Sequence, residues 1–379
     1  MIKYKLGDVV KVISERVDDP ANCEYDKFVG LEHYVSGEIE IKKYGNTSLL
    51  KSAMKVFKSG DILIARRNVY LKRASIVKFN GITSGDTIVL RVEDKLLRRI
   101  IPFVLNTDGF WGYAEKFSDG TMSKRLSPKV LLEYEFMLPQ IDKQEKLSEL
   151  LWAANDTRDA YKKLLYHTDE LIKSQFVEMF GLPNDNVKSF KKGTIRDIVS
   201  EVKYGTSKPA TESGRYPYLR MNNITYDGQL DLSDLKYIDM SDNEIEKCVV
   251  KKGDVLFNRT NSKELVGKTC MFNLDKPMVI AGYIIRVRVN EDILPEYLST
   301  FLNLKYSKNI LFDMCKAAIG QANINAQELQ NIEIIIPPIN LQHKFLELLQ
   351  QTNKSKIELK QNIDNLETTI KALMLKNFG

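Results

Sequence analysis

The chain repeats itself, and that repeat limits the possible folds more than any other feature of the sequence. EFMLPQIDKQEKLSELL at 135–151 returns as EIIIPPINLQHKFLELL at 333–349. Glu135, Pro139, Ile141, Gln144, Lys146, Glu149, Leu150 and Leu151 recur as Glu333, Pro337, Ile339, Gln342, Lys344, Glu347, Leu348 and Leu349, a constant shift of 198 residues. The same shift carries KSQFVEMFG at 173–181 onto KALMLKNFG at 371–379, with no gap in between. Upstream the match is looser. KLGDVVKV at 5–12 resembles TIRDIVSEV at 194–202, and FKSGDILIARRN at 57–68 resembles VKKGDVLFNRTN at 250–261. Each half therefore reads as a variable unit of roughly 140–150 residues followed by a helical unit of about 40, which predicts a pseudo-two-fold molecule.

In the helical units apolar residues recur at spacings of three and four. The first seam is Leu147, Leu151, Ala154, Tyr161, Leu165, Thr168 and Ile172, and the second is Phe345, Leu349, Thr352, Leu359, Ile363, Leu366 and Ile370. A seam of this kind predicts a coiled coil. Forty residues of helix make a rod of about 60 Å, which cannot bury a narrow stripe alone, and the other copy is its natural partner. Asp142 and Asn340 are the expected N-caps, and Gly181 with Pro183 stops the first helix.

The variable units alternate short β-branched runs with turns. DILIARRN, DTIVLRV, DVLFNRT and YIIRVRV read as strands; SGEI, SDGT, YDGQ and MSDNE read as turns. Short helices are expected near 95–107 and 291–306. The expected fold class is mixed α/β (α+β) for both variable units.

Charge is only mildly positive, 56 basic against 50 acidic side chains, so any nucleic-acid surface must concentrate its cations locally. Cys23, Cys248, Cys270 and Cys315 form no C-x-x-C pair, and His33, His167 and His343 are far apart, which argues against a zinc site. The N-terminus lacks an apolar core of signal-peptide length, and no apolar run approaches a membrane span. A soluble, cytoplasmic chain with free thiols is expected.

NRTNSKELVGKT at 258–269 ends one residue away from a phosphate-binding P-loop. Its first required glycine is Ser262, and the residues after Thr269 read as strand, where a P-loop needs a helix. The repeat offers a better comparison. ARRNVYLKR at 65–73 occupies the same place in the first half and shares Arg, Asn and a later basic residue, but not glycine. Arg can pair with guanine edges and Asn with adenine edges, while Lys serves phosphates. Candidate DNA contacts are therefore Arg66, Arg67, Asn68, Lys72 and Arg73 in one half, and Arg259, Asn261, Lys263 and Lys268 in the other. SDGTMSKRLS at 118–127 adds Lys124 and Arg125, beside Thr121 and Ser123. Its counterpart AIGQANIN at 318–325 adds Gln321 and Asn323. YGTSKPATESGRYPYLRMNNI at 204–224 adds Lys208, Arg215, Tyr216, Arg220, Asn222 and Asn223. KLLRR at 95–99 reads as a solvated helix face.

No G-x-G-x-x-G, complete Walker motif or amino-methyltransferase N-P-P-F motif is present; IPPI at 336–339 lacks both the Asn and the aromatic residue. Two variable units, each followed by a matching long helix, resemble the specificity subunit of Type I restriction-modification enzymes. IIPPINLQHKFLELL, MLPQIDKQEKLSELL and the pair SGDILIARRN and KGDVLFNRTN carry the resemblance, which covers essentially the whole chain. Gln140 departs from the family's proline pair.

The resemblance implies two target-recognition domains, at 1–139 and 183–337, and two spacer helices, at 140–182 and 338–379. The helices would form an antiparallel coiled coil through Leu147, Leu151, Tyr161, Leu165, Ile172, Phe345, Leu349, Leu359, Ile363 and Ile370. It implies that each domain reads one half of a split, asymmetric double-stranded DNA target. It further implies two modification subunits carrying S-adenosylmethionine, restriction subunits using ATP and Mg, and no active site or cofactor in this chain. A P-loop-like enzyme or a self-contained methyltransferase is the competing reading.

Overall fold

A computed structural model describes residues 1–120, 123–315 and 322–378. The chain forms two compact units, Met1–Leu164 with Leu359–Gly379, and Leu165–Glu358.

In the first unit a four-stranded sheet runs in the order Lys11–Ile13, Thr87–Arg91, Ile62–Ala65, Ala74–Ile76, all antiparallel. A five-stranded sheet has the order Arg16–Val17, Met54–Phe57, Gly81–Thr83, Lys27–Val29, Gly45–Asn46. Its one parallel pair is Lys27–Val29 with Gly81–Thr83. The second unit repeats this plan. Its first sheet has the order Val199–Tyr204, Ile284–Val289, Val255–Asn258, Thr269–Met271. In its second sheet, Tyr216–Leu219 pairs in parallel with Met278–Ile280.

The apolar runs arise from this layering. Ile62 and Ile64 enter one core cluster while Leu63 and Ala65 enter another. Val255 and Phe257 likewise separate from Leu256. A strand covered on both faces has no polar side, so its sequence loses the alternation of a half-exposed strand.

The paired motif SGD/KGD is also structural. Gly60 (φ +91°) and Gly253 (φ +93°) take left-handed turn positions that favour glycine. The next residue is a buried aspartate that accepts a turn N–H, Lys58 to Asp61 and Lys251 to Asp254, both at 2.8 Å. Each aspartate also holds an arginine of the neighbouring strand, Arg91 Nε on Asp61 and Arg288 Nε on Asp254, again both at 2.8 Å. A buried carboxylate with all these partners is satisfied.

The four strand runs named from the sequence fall on Ile62–Ala65, Thr87–Arg91, Val255–Asn258 and Ile284–Val289, and the expected short helices are Lys95–Val104 and Pro295–Asn303. Each is followed by a second helix that the sequence reading missed, Asp108–Phe117 and Lys305–Met314. MSDNE is not a turn. Ser241 and Glu244 form a capping box that starts helix Asp242–Cys248.

The long helices run Ile141–Phe180 and Ile339–Phe378. Asp142 and Asn340 are thus first-turn residues and not N-caps; Gln140 and Pro338 carbonyls accept the first helical N–H groups, from Lys143 and Leu341. The repeated glutamine folds back on the repeated proline segment. Gln144 Nε2 donates to the Pro139 carbonyl (3.0 Å), and Gln342 Nε2 donates to the Pro337 carbonyl (2.9 Å).

Within the first unit Leu147 and Leu151 share a cluster with Ile370, Met374 and Phe378. Lys162, further along, pairs with Glu367 (3.0 Å), so the two helical segments run antiparallel. Within the second unit Ile172, Phe176 and Phe180 cluster with Phe345, and Asp169 pairs with Lys356, again antiparallel. Leu147, Leu151, Ile172, Phe345, Ile363 and Ile370 are buried, while Tyr161, Leu165, Leu349 and Leu359 are half-buried. The seam is not apolar throughout. Asn155, Arg158 and Lys356 are buried in it. Arg158 is held by Glu38, Asn155 and Asp159, each at 2.9 Å. Ala154 is only half-buried, because the inward position belongs to Asn155.

Candidate nucleic-acid interface

Two stretches far apart in the first half of the sequence meet in the first unit. Arg66 leaves the end of the buried strand Ile62–Ala65, and its carbonyl accepts the N–H of Leu126 (2.9 Å). Asn68 donates its N–H to the Lys124 carbonyl (3.0 Å), and Arg67 bridges Arg125. Asn68 (φ 54°) and Lys72 (φ 48°) sit in the left-handed region around the tight turn Val69–Leu71. Ser123 Oγ donates to Asn68 Oδ1 at 3.1 Å. The result is one polar edge carrying Arg66, Arg67, Asn68 and Arg125.

Their side chains are already engaged. Arg67 Nε lies 3.0 Å from Asp86 Oδ2, and Arg125 donates through a terminal nitrogen to Asp86 Oδ1 at 2.9 Å. Arg73 turns inward and donates to the Leu31 and Arg67 carbonyls, both at 3.1 Å. Lys72 pairs with Asp108 (2.7 Å) and Lys124 donates to the Glu115 carbonyl (2.9 Å). Arg66 is half-buried, and its Nε has no hydrogen-bond partner among the described residues.

Three residues at this edge escaped the sequence reading. Arg16 faces Lys55 directly across an antiparallel strand pair. Like charges so placed are destabilising, which is the expected cost of a surface built for an anion. Burial, and then the neighbouring Arg66 and Arg16, hold the Lys55 ammonium below its ordinary pKa, with Asp86 acting in the opposite sense. Asp86 is the third. Arg16 and Lys55 lie on separate strands and Asp86 in the turn before a third, so no local motif could have joined them.

The second unit has the same construction with other side chains. Thr260–Asn261 pairs with Ala322–Asn323, and the Arg259 carbonyl accepts the N–H of Ile324 (2.9 Å), just as Arg66 does from Leu126. Thr260 Oγ1 meets Asn323 Oδ1 at 3.2 Å. The Arg259 guanidinium lies over the Tyr204 ring, 4.8 Å from its centre, and one terminal nitrogen is 3.5 Å from the Gly282 carbonyl. Tyr204 opens the 204–224 stretch without standing out in it, and its hydroxyl accepts the Ala326 N–H (2.8 Å). Lys263 sits over the Phe312 ring at 4.0 Å, and Asn261 accepts the N–H of Ser262 (2.9 Å). Gln321 and Thr121 lie outside the described residues.

Lys268 requires a correction. It is buried and donates to the Met221 carbonyl (2.8 Å), and burial lowers its pKa, so it is an internal strut. The P-loop reading also fails in geometry. Gly267 and Lys268 close a hairpin through Gly267 N–H to Asn258 O and Asn258 N–H to Lys268 O, both at 2.8 Å, and strand Thr269–Met271 comes next. No helix start is present there to offer amides to a phosphate.

The 204–224 stretch runs from the end of a first-sheet strand, at Tyr204, into the second sheet and its turns. Each of its cations is matched by a carboxylate. Lys208 pairs with Glu244 (2.7 Å), Arg215 with Asp242 (3.2 Å) and Arg220 with Asp234 (2.7 Å). Arg215 also lies over the Tyr216 ring (4.9 Å), whose hydroxyl donates to Asp242 (3.3 Å). Asn222 is exposed, while its neighbour Asn223 is buried and donates to the Asp231 carbonyl (2.8 Å). Among the described residues no group of His, Cys, Asp or Glu is placed to hold a metal ion, and no helix is long and apolar enough to cross a membrane.

Comparison with known proteins agrees with this architecture. Residues 184–368 match the family model described as Type I restriction modification DNA specificity domain. The chain is 26% identical over 279 residues to the Type I restriction enzyme EcoKI specificity subunit of Escherichia coli, covering 69% of this chain and 60% of that protein. It is 28% identical over 219 residues to the putative Type I restriction enzyme MjaX specificity subunit of Methanocaldococcus jannaschii, covering 57% and 50%. The match thus spans between half and three fifths of the length of these relatives.

Two solved structures share the fold. One is the Type I restriction-modification system S subunit from M. genitalium, with a TM-score of 0.58, 13% identity, and 100% and 96% of the two chains covered. The other is a chain from a study of assembly and conformational transition of the Type I R-M system, with a TM-score of 0.55, 19% identity, and 99% and 96% covered. The second half of this chain matches a DNA specificity domain of the Type I kind, and the chain is similar to Type I restriction-modification specificity subunits.

Proposed function

We propose that this chain is the DNA sequence-specificity subunit of a Type I restriction-modification complex. Its two variable units read the two halves of a bipartite, asymmetric DNA target. The carrying observation is that one loop construction occurs twice with different side chains: Arg67 and Arg125 held on Asp86 with Asn68 held by Ser123 in one unit, Arg259 over Tyr204 and Asn323 on Thr260 in the other. Equivalent scaffolds presenting unlike donors and acceptors would read unlike half-sites.

In this reading the chain is non-catalytic and acts in the cytoplasm. Two modification subunits bring S-adenosylmethionine and flip out the target adenine, and restriction subunits bring ATP and Mg. Positioning is this chain's own task. The antiparallel helix segments, each tied to the proline segment ahead of it by Gln144 or Gln342, support it as a spacer.

The test is methylome sequencing of the host with and without this gene, followed by paired substitutions. Loss of the gene should erase adenine methylation at one split motif. Arg259→Ala with Asn323→Ala should relax one half of that motif and leave the other intact. A methylome unchanged by deletion, or substitutions that relax both halves equally, would overturn the proposal.

A further inference from the structure

Asp86 is a carboxylate at the centre of a cationic edge. Its Oδ2 holds Arg67 Nε (3.0 Å), its Oδ1 holds Arg125 (2.9 Å), and its own carbonyl accepts the N–H of Arg66 (2.9 Å). Arg16 and Lys55, facing each other across a strand pair, add two more cations in the same unit. A surface selected only for attraction to phosphates would gain by losing this carboxylate, since it cancels charge that could displace counterions. What the carboxylate adds is direction. Arg67 spends only Nε on it and Arg125 only one terminal nitrogen, and both side chains remain about half exposed, at 48% and 41%. Their other nitrogens have no hydrogen-bond partner among the described residues, which leaves donors for bidentate pairing with a base edge.

The internal repeat supplies a control. In the second unit Arg259 N–H donates to the Tyr283 carbonyl (2.9 Å), just as Arg66 N–H donates to the Asp86 carbonyl. Tyr283 therefore stands where Asp86 stands, with no carboxylate, while Thr260 and Asn323 stand where Arg67 and Arg125 stand and meet each other directly at 3.2 Å. The acidic clamp belongs to one unit only.

We infer that Asp86 is a positioning residue that orients Arg67 and Arg125 for base reading, at the expense of non-specific DNA affinity. The inference rests on the DNA-reading function proposed for this chain. The experiment uses the chain assembled with its modification subunits and compares Asp86→Asn and Asp86→Ala with wild type and with an Arg67→Ala/Arg125→Ala double variant. Binding to a non-cognate duplex is followed over a salt series, and methylation is scored at targets mismatched in either half-site.

With Asp86 neutralised, non-cognate binding should tighten. The slope of log affinity against log salt should steepen by up to about two, one for each released arginine. Discrimination in the half-site assigned to the first unit by the arginine double variant should fall about ten-fold or more. Discrimination in the other half-site should not change, and Asp86→Glu should restore part of the loss. Unchanged slope and unchanged discrimination in Asp86→Asn overturn the inference, as does equal relaxation of both half-sites. If the arginine double variant keeps full discrimination, the DNA-reading function of this edge fails first. If it loses one half-site while both Asp86 variants behave as wild type, only the positioning role fails. Should the alanine variant not fold, the near-isosteric asparagine variant decides.

Discussion

Gln144 and Gln342 occupy the same position of the repeat, yet their removal should cost different amounts. Gln342 is buried at 1% exposure and makes three hydrogen bonds. Its Nε2 donates to the Pro337 carbonyl (2.9 Å) and the Asp292 carbonyl (2.8 Å), and its Oε1 accepts the Leu294 N–H (2.8 Å). Gln144, at 2% exposure, makes one good bond, to the Pro139 carbonyl (3.0 Å), and a long one to the Tyr4 hydroxyl (3.4 Å). A buried bond contributes about 1 kcal/mol, and a group left without a partner adds a further penalty of similar size. Gln342→Ala should therefore cost about 3–5 kcal/mol and Gln144→Ala about 1–2 kcal/mol.

Urea unfolding followed by far-ultraviolet circular dichroism measures both, with hydrogen exchange as the local probe. Both tryptophans, Trp111 and Trp152, lie in the first unit, so fluorescence reports directly only on the Gln144 side. In Gln342→Ala the Leu294 amide should lose protection along with the first turn of the second long helix. Equal costs for the two variants, or protection of Leu294 unchanged, would refute the reasoning that these glutamines clamp each helix to its domain.

Three further outcomes concern stability. Burial, reinforced by Lys173 and Lys268, pushes the Lys308 ammonium down to about 7, while its Nζ donates to the Gly267 carbonyl (2.6 Å). The folded pKa lies below the unfolded one, so the unfolded chain binds more protons across that interval. Stability should therefore rise as pH increases from 7 towards 9, by about 1 kcal/mol or more, and the penalty is complete below 7. Calorimetry over that range should show the rise in wild type and a flatter profile in Lys308→Met; an identical slope in both would exclude Lys308 as the source. Gly253→Ala places a Cβ at φ +93° and should cost about 1–2 kcal/mol in urea unfolding. Gly60→Ala should cost more, because its Cβ would also press on Arg98 Cδ at 3.3 Å.

Much of the architecture is local and so could be read from the chain. The repeated proline, isoleucine and glutamine mark two helix starts, and the apolar runs ILIA and VLFN mark strands covered on both faces. Helix boundaries were less legible. Asp142 and Asn340 have capping chemistry, but the proline segment ahead of them already supplies the first acceptor carbonyls, so each helix begins two residues sooner. The seam also departed from its apolar pattern at Asn155 and Arg158. Arg158 lies seven residues from both Leu151 and Leu165, so spacing puts it on the seam, and partners distant in sequence, Glu38 foremost, satisfy its buried charge.

The candidate interface divides in the same way. ARRN and NRTN could be matched by sequence because each leaves the end of a recurrent buried strand. Whether a given side chain reaches solvent could not. Lys268 and Lys263 lie on one loop, yet Lys268 props up the Met221 carbonyl inside while Lys263 rests on Phe312. Sequence by itself determined the duplication, the two long helices and the sheet strands, because these arise from spacing and hydrophobic pattern within a single segment. Only the tertiary structure decided that Arg67 and Arg125 share Asp86, that Arg16 faces Lys55 and that Arg259 rests on Tyr204. Pairings between strands remote in sequence depend on register and burial, and no local spacing records either.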